Sequence, residues 1–508
     1  MRGALLVCGT HSDAGKSVVT AGICRWLARA GVRVAPFKAQ NMALNSVVTR
    51  DGAEIGRAQA VQAAAAGLEP EAAMNPVLIK PSGERHSQVV VMGRPYCPDA
   101  DARSYQQLKH ELRPIVDAAL ADLRGRFDVV VCEGAGSPAE INLRDGDLTN
   151  MGLARAAGLP VIVVADIDRG GVFASLLGTV ALLDPGDQEH LAGFLVNKFR
   201  GDPGVLAPGL DDLEELTGRP TLGVLPWVED LWMDVEDSLA LEAPRPEKPA
   251  AGDTLEVAVL RLRWMSNFTE ADALAAEPGV RVRFTRSAAD VERADLLVVP
   301  GTKATVEDLE RLRAAGLDRA IAARAAAGAP TLGICGGYQI LGERIVDEVE
   351  SGRGAVDGLG LLPVTTTFEP DKLLRRRGGR CGWLATAASG YEIRHGRVAR
   401  HGGEGVLVAD DGEPDGCRTA SVVGTSWHGA LEHDDLRGAL LAWVAAARGR
   451  TFTPGTVPFA AAREARLDAL GDLVAEHVDT DRVAALIEGG PPPGLPTVRT
   501  EVRACCAS

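Results

Sequence analysis

The feature that most constrains the fold is a glycine-containing loop close to the amino terminus. An apolar run at residues 5–7 precedes the loop at residues 9–17, and apolar residues at helical spacing follow it over residues 18–27. The backbone N–H groups of such a loop, together with the positive end of the following helix, bind phosphate groups. The sequence therefore predicts a strand, a phosphate-binding loop and a helix that open a parallel α/β sheet.

Within this loop, Lys16 is placed to reach the outer phosphates of a nucleotide and the Ser17 hydroxyl to ligate Mg²⁺. The loop departs from the commonest pattern, because Thr10 stands where the first glycine is expected and Gly9 lies one place earlier. A turn with a surface lysine is the alternative, and the strand–loop–helix context favours phosphate binding. The predicted nucleotide contacts are Thr10, Asp13, Ala14, Gly15, Lys16 and Ser17.

Length and composition limit the classes of protein that remain. A chain of 508 residues is too long for one ordinary core and predicts at least two domains. A net charge of -15 argues against bulk binding of nucleic acid. No apolar run approaches the ~18 residues of a membrane-spanning helix, and the first predicted strand leaves no room for a signal peptide. The nine cysteines are dispersed, which is typical of reduced thiols, so we expect a cytoplasmic protein.

The order of predicted elements divides the chain. Residues 1–240 alternate strands with helical segments, the pattern of a parallel sheet, and form the predicted nucleotide-binding domain. Residues 241–254 contain three prolines and are the predicted linker. A second α/β pattern occupies residues 255–450. Residues 451–508 are predicted to form a C-terminal tail that is helical over residues 458–488.

Several charged side chains follow predicted strands of the first domain, where a parallel sheet presents residues to its ligand crevice. Lys38 follows the second strand, and Glu133 ends another strand, from where it could hold Mg²⁺ opposite Ser17. Asp166 and Asp168 follow a third strand and could hold Mg²⁺, substrate or a phosphoryl group. Each has a structural alternative: Lys38 could be a surface lysine, Glu133 could cap a helix, and Asp166 could simply pair with Arg169.

An amide-rich loop follows Lys38. Its side chains Gln40, Asn41 and Asn45 both donate and accept hydrogen bonds and are candidate contacts to a polar substrate. A capping loop is an equally good interpretation of these residues on physical grounds alone.

The second domain contains the pattern of a nucleophile elbow. Residues 333–342 predict a strand, a sharp turn at Cys335 and a helix, with glycines on both sides of the cysteine. The helix amino terminus is expected to lower the thiol pKa, and the Gly336 N–H is expected to stabilise an oxyanion. Gly301, after another strand, could supply a second N–H. His428 is the candidate base, and His433 is the nearby alternative that more simply caps a helix.

Taken together, these motifs resemble the cobyric acid synthase family of corrinoid biosynthesis over about residues 3–488. Many motifs in one order are far more specific than any single one. The motifs that carry the resemblance lie at residues 10–17, 36–46, 54–59, 74–81, 133–143, 166–173, 333–339 and 390–393.

The resemblance implies a synthetase with two active sites. The first domain is similar to dethiobiotin synthetase and would use MgATP to phosphorylate the b, d, e and g carboxylates of adenosylcobyrinic acid a,c-diamide. Ammonia would displace the phosphate. The second domain looks like a class I glutamine amidotransferase that makes this ammonia from L-glutamine. The protein would thus be an ATP-dependent carboxylate amidoligase with glutamine as nitrogen donor.

The motif match also assigns roles to residues. Lys16, Ser17 and Glu133 correspond to the ATP and Mg²⁺ site, and Lys38 corresponds to a lysine that faces the reacting carboxylate and phosphate. In the second domain, Cys335 and His428 correspond to the nucleophile and its base.

Two positions depart from the wider pattern. Class I glutaminases usually carry glutamate two residues after the catalytic histidine, where this chain has Ala430. The cobyric acid synthase family shares this absence, which leaves open what orients His428. A histidine that often follows Tyr-Glu-Ile in the family is replaced by Arg394, so the motif match does not extend to His395.

Three other families share part of this plan. Cobyrinic acid a,c-diamide synthase has the same two domains, but it tends to carry an acidic Asp-Tyr-x-Asp stretch in place of residues 40–42. A partition-type ATPase shares the phosphate loop and has no need of the cysteine domain. A plain glutaminase with a degenerate nucleotide domain is opposed by the intact Lys16, Ser17 and Glu133.

Overall fold

The computed structural model describes residues 1–228 and 253–498, so the predicted linker lies outside the described residues except at its last two positions. The first part of the chain alternates strands and helices, as predicted. Its strands are β1 Gly3–Gly9, β2 Val34–Phe37, β3 Gln40–Met42, β4 Ser46–Val48, β5 Glu54–Gly56, β6 Val77–Pro81, β7 Ser87–Val91, β8 Arg94–Ala100, β9 Val129–Glu133, β10 Val161–Asp166, β11 Leu191–Phe199 and β12 Thr221–Pro226. Its helices are α1 Lys16–Arg29, α2 Arg57–Ala65, α3 Ala102–Arg126, α4 Met151–Ala157, α5 Val172–Leu182, α6 Pro185–Gln188 and α7 Pro203–Thr217.

Six of these strands form a parallel sheet in the order β12-β11-β10-β1-β9-β2. Its central strands are apolar and buried along almost their whole length, because helices cover both faces. Strand β1 lies between β9 and β10, so the loop after β1 opens at the point where the strand order reverses. In such sheets this crevice is the ligand site.

The segment between β2 and α3 forms small separate sheets. The amide-rich stretch, expected as a loop, contains two short strands: β3 pairs with β6 in a four-stranded sheet, and β4 pairs with β5. Pairing with distant strands decides this conformation, and periodicity over so few residues does not report it.

The second part of the chain also follows the predicted α/β pattern. Its strands are β13 Leu255–Leu260, β14 Val280–Thr285, β15 Leu296–Val299, β16 Thr331–Ile334, β17 Arg344–Asp347, β18 Gly354–Asp357, β19 Val364–Cys381, β20 Thr386–Arg400, β21 Leu407–Ala409, β22 Pro414–Asp415, β23 Cys417–Thr419 and β24 Val422–Thr425. Its helices are α8 Glu270–Ala275, α9 Ala288–Arg293, α10 Thr305–Ala314, α11 Leu317–Ala326, α12 Gly336–Leu341, α13 Asp434–Ala447, α14 Phe459–His477 and α15 Thr480–Gly489.

Two sheets organise this part. One has the order β14-β13-β15-β16-β24-β23 and is parallel except for the edge strand β23. The other is mixed and contains the long antiparallel hairpin of β19 and β20. This hairpin reaches the first domain, where Arg376 donates to the Val48 carbonyl at 3.2 Å.

The C-terminal helices pack against the first domain. Helix α14 lies along α1 so closely that a Cβ on Gly22 would be 2.7 Å from the Leu470 carbonyl oxygen. Ion pairs flank this contact, from Arg25 to Asp468 at 2.9 Å and from Arg29 to Asp472 at 2.6 Å. The chain thus returns from the second domain to cover the first sheet. In the described ranges, no helix is long and apolar enough to cross a membrane.

Candidate active site

The phosphate loop has the conformation that its sequence predicts. Gly15 precedes α1 at φ 105°, and a Cβ there would lie 1.9 Å from the Asn197 side-chain nitrogen, so only glycine fits. That Asn197 amide donates to the Ala14 carbonyl at 3.0 Å. The Thr10 N–H donates to the Val164 carbonyl at 2.9 Å and carries the loop off the end of β1. Neighbouring strands therefore hold the loop in shape.

Lys16 crosses from this loop to the loop that follows β9. Its ammonium group donates to the His11 carbonyl at 2.9 Å and to the Gly136 carbonyl at 3.1 Å, and the residue is 7% exposed. An ammonium group at the end of a phosphate loop can bind phosphate oxygens, because it offers them a full positive charge and N–H donors.

Glu133 connects three side chains at the carboxyl end of the sheet. Its Oε1 accepts from the Ser17 hydroxyl at 2.7 Å and from the Lys38 ammonium at 2.9 Å, and its Oε2 accepts from the Gln62 amide. Gln62 was not predicted as a site residue. Nothing in its local sequence marks it, because only the packing of α2 brings it to β9.

Burial raises the pKa of Glu133, but the positive charge of Lys38 and the hydrogen bonds from Lys38, Ser17 and Gln62 outweigh it and hold the pKa below its usual range. The carboxylate is therefore ionised at neutral pH. With the Ser17 hydroxyl it offers the oxygen ligands that Mg²⁺ takes when water and phosphate oxygens complete its shell. In the described part of the chain, no cluster of three or more His, Cys, Asp or Glu could hold a metal.

Asp166 ends β10 beside the phosphate loop, and Asp168 follows it two residues later. Asp166 accepts from the Lys198 ammonium at 2.7 Å and lies 3.6 Å from Arg169, the ion pair that was the alternative interpretation. Lys198 also donates to the Asp13 carbonyl at 2.9 Å. Asp168 is exposed and lies 3.3 Å from Arg200. Asp166 therefore anchors the loop, and Asp168 faces solvent.

The three predicted amide residues occupy different environments. Gln40 is partly exposed and accepts from the Tyr105 hydroxyl. Asn41 is buried and donates to the Gln59 side chain at 2.9 Å. Asn45 is buried and accepts, through Oδ1, from the N–H of Asn267 in the second domain at 2.7 Å.

Cys335 sits on a strained turn between β16 and α12, at φ 50° and ψ -107°. The neighbouring glycines permit this turn: a Cβ on Gly337 would lie 1.9 Å from the Val299 carbonyl oxygen, and one on Gly336 would lie 2.9 Å from the Thr302 nitrogen. The predicted elbow geometry is therefore present. It places the Gly336 backbone against the loop that contains Gly301.

The expectation of a lowered thiol pKa is wrong for this structure. Burial raises the pKa of Cys335 to about 12, and it outweighs the positive charge of Arg394 and the hydrogen bond from the Gly336 N–H. The effect of a helix amino terminus is a fraction of the desolvation penalty. The resting group is thus a thiol, and a base must remove its proton.

His428 has the properties of such a base. Burial lowers the pKa of His428 to about 4, despite its hydrogen bond to the Asn267 carbonyl, so the ring is neutral at neutral pH. Its Nδ1 lies 3.0 Å from that carbonyl oxygen. Because a carbonyl only accepts, Nδ1 carries the proton and Nε2 is left as the basic atom. His433 instead precedes α13 as its cap residue.

The imidazole packs against the loop of Gly301, where a Cβ would lie 2.6 Å from its Cε1 atom. Among the described residues, Cys335 and His428 share no direct hydrogen bond, and the sulfur lies 3.9 Å from the Ile393 carbonyl oxygen. Catalytic hydrogen bonds often form only when substrate has bound.

A cleft beside Cys335 carries charges of both signs. Lys303 forms an ion pair with Glu350, and Arg394 also lines the cleft. An α-amino acid offers one ammonium and one carboxylate group, and such a cleft can pair with both. The lining also includes Gln339, Thr302, His395 and, from the first domain, Lys80.

A buried ionic cluster joins the domains at this cleft. Glu54 is fully buried and accepts from Lys80 and from Lys372 of the β19–β20 hairpin, each at 2.6 Å. Burial lowers the pKa of Lys372 to about 8, although Glu54 favours its charged form. Removing Glu54 would leave the buried ammonium groups of Lys80 and Lys372 without the carboxylate that pairs with both, so Glu54 fixes the hairpin on the first domain.

Glu270 predicts a change of stability with pH. It is fully buried, accepts from the Gly429 N–H, and its pKa is raised by burial to about 8. The stability that its protonated form gives is complete below the ordinary carboxyl pKa and is lost as pH rises through about 8. We therefore compare the melting temperatures of Glu270→Gln and wild type by thermal unfolding. The difference, variant minus wild type, is expected to be more positive at pH 8.5 than at pH 5.5. Glu292→Gln, at an exposed position, serves as control. If the melting temperature of Glu270→Gln depended on pH in the same way as that of wild type, Glu270 would not have the raised pKa.

Both halves of the chain match known domain families. Residues 5–240 match the CobQ/CobB/MinD/ParA nucleotide binding domain, and residues 256–436 match the CobB/CobQ-like glutamine amidotransferase domain. A solved structure titled as a glutamine amidotransferase covers 38% of this chain and 98% of its own, with 20% identity and a TM-score of 0.30, a similarity too low to add to the assignment.

Full-length relatives are much more similar. Cobyric acid synthase of Frankia casuarinae is 60% identical over 522 residues, which cover 98% of this chain and 99% of the relative. Cobyric acid synthase of Streptomyces avermitilis is 58% identical, with the same coverage of both chains, and that of Rhodococcus jostii is 57% identical over 98% of each. The chain therefore belongs to the cobyric acid synthase family.

Proposed function

We propose that the chain amidates peripheral carboxylates of a corrinoid in cobalamin biosynthesis, with ATP to activate each carboxylate and glutamine as nitrogen donor. The observation that carries this proposal is the presence, in one chain, of an intact phosphate loop joined to Glu133 and a cysteine on a strained strand–helix turn. Residues 1–240 would activate the carboxylate, and residues 255–450 would release ammonia.

In the first site, Lys16 would bind the outer phosphates of ATP, together with backbone groups of Thr10, Asp13, Ala14 and Gly15. Ser17 and Glu133 would hold Mg²⁺, because a hydroxyl and an ionised carboxylate already lie 2.7 Å apart. Bound Mg²⁺ neutralises charge on the phosphate groups.

Lys38 would stabilise the charge that develops as the substrate carboxylate attacks the terminal phosphate. A free carboxylate is a poor acyl donor, and the acyl phosphate formed from it is a better one, which ammonia attacks to give the amide with loss of phosphate. The substrate would be adenosylcobyrinic acid a,c-diamide, amidated at its b, d, e and g side chains. Gln40 and Asp168, the more exposed of the predicted substrate residues, would contact it.

In the second site, Nε2 of His428 would take the proton of the Cys335 thiol as the sulfur attacks the glutamine carboxamide carbon. The N–H groups of Gly336 and Gly301 would stabilise the resulting oxyanion. The proton then passes to the departing ammonia and leaves a glutamyl thioester. Water attacks this thioester, which yields glutamate and restores the thiol.

Mass spectrometry of the corrinoid product tests the proposal. Incubation with MgATP, glutamine and adenosylcobyrinic acid a,c-diamide is expected to give successive species that carry one to four new amides. A parallel incubation with cobyrinic acid that gives a product with two new amides would instead favour cobyrinic acid a,c-diamide synthase activity. Phosphate release without any amide would favour an ATPase.

A further inference from the structure

Asn45 and Ser46, adjacent residues of the first domain, contact residues that hold His428 in the second domain. The Asn45 side chain accepts from the Asn267 N–H at 2.7 Å, and the Ser46 N–H donates to the Asn267 side chain at 2.7 Å. The Ser46 carbonyl also accepts from the Tyr391 hydroxyl at 3.2 Å. These bonds cross from one domain to the other and end beside the glutaminase base.

Asn267 has a left-handed backbone conformation. It lies at φ 50°, a region that side-chain-bearing residues other than asparagine and aspartate seldom adopt. The reciprocal hydrogen bonds with Asn45 and Ser46 fix it there. The same residue presents the carbonyl that accepts from Nδ1 of His428.

Tyr391 holds the other side of the histidine. Its backbone exchanges two hydrogen bonds of 2.9 Å with the backbone of His428. Its ring stacks on the imidazole with centroids 5.6 Å apart and an angle of 28° between the planes. The Tyr391 hydroxyl is anchored to Ser46, so its ring position also depends on the first domain.

We propose that Asn45 and Ser46 are positioning residues for glutamine hydrolysis: through Asn267 and Tyr391 they aim Nε2 of His428 at the cysteine. This inference rests on the proposed roles of Cys335 and His428. It supplies an orienting device where Ala430 replaces the usual glutamate. The base that releases ammonia is thereby held by the domain that consumes the ammonia.

The link continues to the nucleotide site. Lys38 pairs with Glu133 and lies in the same segment, residues 38–46, that carries Asn45 and Ser46. The segment is buried over most of its length, and Asn75 donates to the Lys38 carbonyl at 3.1 Å. A single stretch of backbone therefore contacts the carboxylate-activating site at one end and, at the other, the two residues that hold the glutaminase base.

Full-length Asn45→Ala and Asn267→Gly test the proposal. Glycine keeps φ 50° accessible and removes the side chain that accepts from Ser46. Both variants are expected to lower kcat for glutamate formation, measured with MgATP and corrinoid, by about tenfold to 100-fold with little change in the KM for glutamine, because a misplaced base acts on the chemical step. Asn267→Gly is expected to retain ammonia-dependent amidation.

The double variant and a matched control sharpen the result. If both residues act through one set of bonds, the double variant loses no more than the worse single variant. Arg376→Gln, which breaks a different contact between the domains, is expected to leave glutamate formation unchanged.

Three results would overturn the proposal. The first is a double variant whose kcat falls by the product of the two single losses, and the second is a change in the KM for glutamine without a change in kcat. The third is an Asn45→Ala variant whose amidation rate falls equally with ammonia and with glutamine. The last would make Asn45 a substrate contact. Failure of the underlying function is distinct, because Cys335→Ser would then still form glutamate.

Discussion

Replacement of Cys335 by serine is expected to abolish glutamine-dependent amidation while ammonia-dependent amidation continues at the wild-type rate. The buried thiol already has a pKa of about 12, and a serine hydroxyl is still harder for His428 to deprotonate. Loss of a catalytic nucleophile costs about 10⁶-fold in kcat. The nucleotide site keeps all of its side chains, so an external nitrogen source restores the product.

Initial rates with glutamine and with an ammonium salt, measured on the same preparation, decide this prediction. Cys97→Ser is the matched control, because Cys97 is a partly buried free cysteine away from the elbow. It is expected to behave as wild type with both nitrogen sources. Glutamine-dependent product from Cys335→Ser would remove Cys335 from its proposed role.

Replacement of Lys16 by alanine is expected to stop amidation from both nitrogen sources. The variant loses the buried ammonium group that bridges the His11 and Gly136 carbonyls, and with it the charge that we propose binds the outer phosphates. Loss of one preorganised charge at a transferring group lowers the rate by about 10²–10³-fold or more. Ammonia cannot compensate, because no carboxylate is activated.

Phosphate release and amide formation, each measured with glutamine and with ammonia, test this expectation. Arg29→Gln removes a cation at the far end of the same helix, where Arg29 pairs with Asp472, and it should retain both activities. Amidation by Lys16→Ala from either nitrogen source would refute the role of this lysine in ATP binding.

Different responses of the two variants to ammonia would distinguish the carboxylate-activating site from the glutaminase site. Cys335→Ser is expected to respond to ammonia, and Lys16→Ala is expected to respond to neither nitrogen source. The Asn45 and Asn267 variants should show a smaller loss of the same kind as Cys335→Ser: glutamine-dependent amidation falls and ammonia-dependent amidation is kept. Asn45 would do so although it belongs to the first domain. That pattern would place the control of the glutaminase base in the partner domain of the same chain.

The local parts of both sites could be predicted from the sequence. The phosphate loop before α1 and the elbow at Cys335 follow from glycines next to apolar runs, since only glycine permits these turns. Glu133 could be placed near Ser17, because the carboxyl ends of parallel strands share one edge of the sheet. Short-range geometry suffices for such features.

The thiol pKa could not be predicted in this way. The sequence shows that Cys335 precedes a helix, but the fraction of the side chain that water reaches depends on β15, β20 and the loop of Gly301. Desolvation then outweighs the helix terminus, and its size is known only from the assembled core.

The sequence by itself determined the two domains' chemistry, through the phosphate loop, the strand-end acid and the elbow cysteine, because each is a local pattern of a few neighbouring residues. Only the tertiary structure decided the partners of these groups. It folded the C-terminal helices back onto α1, brought Gln62 to Glu133, and set Asn45 against Asn267 beside His428. These contacts join residues far apart in the chain, and their energy comes from burial and hydrogen bonds that exist only once the domains have packed together.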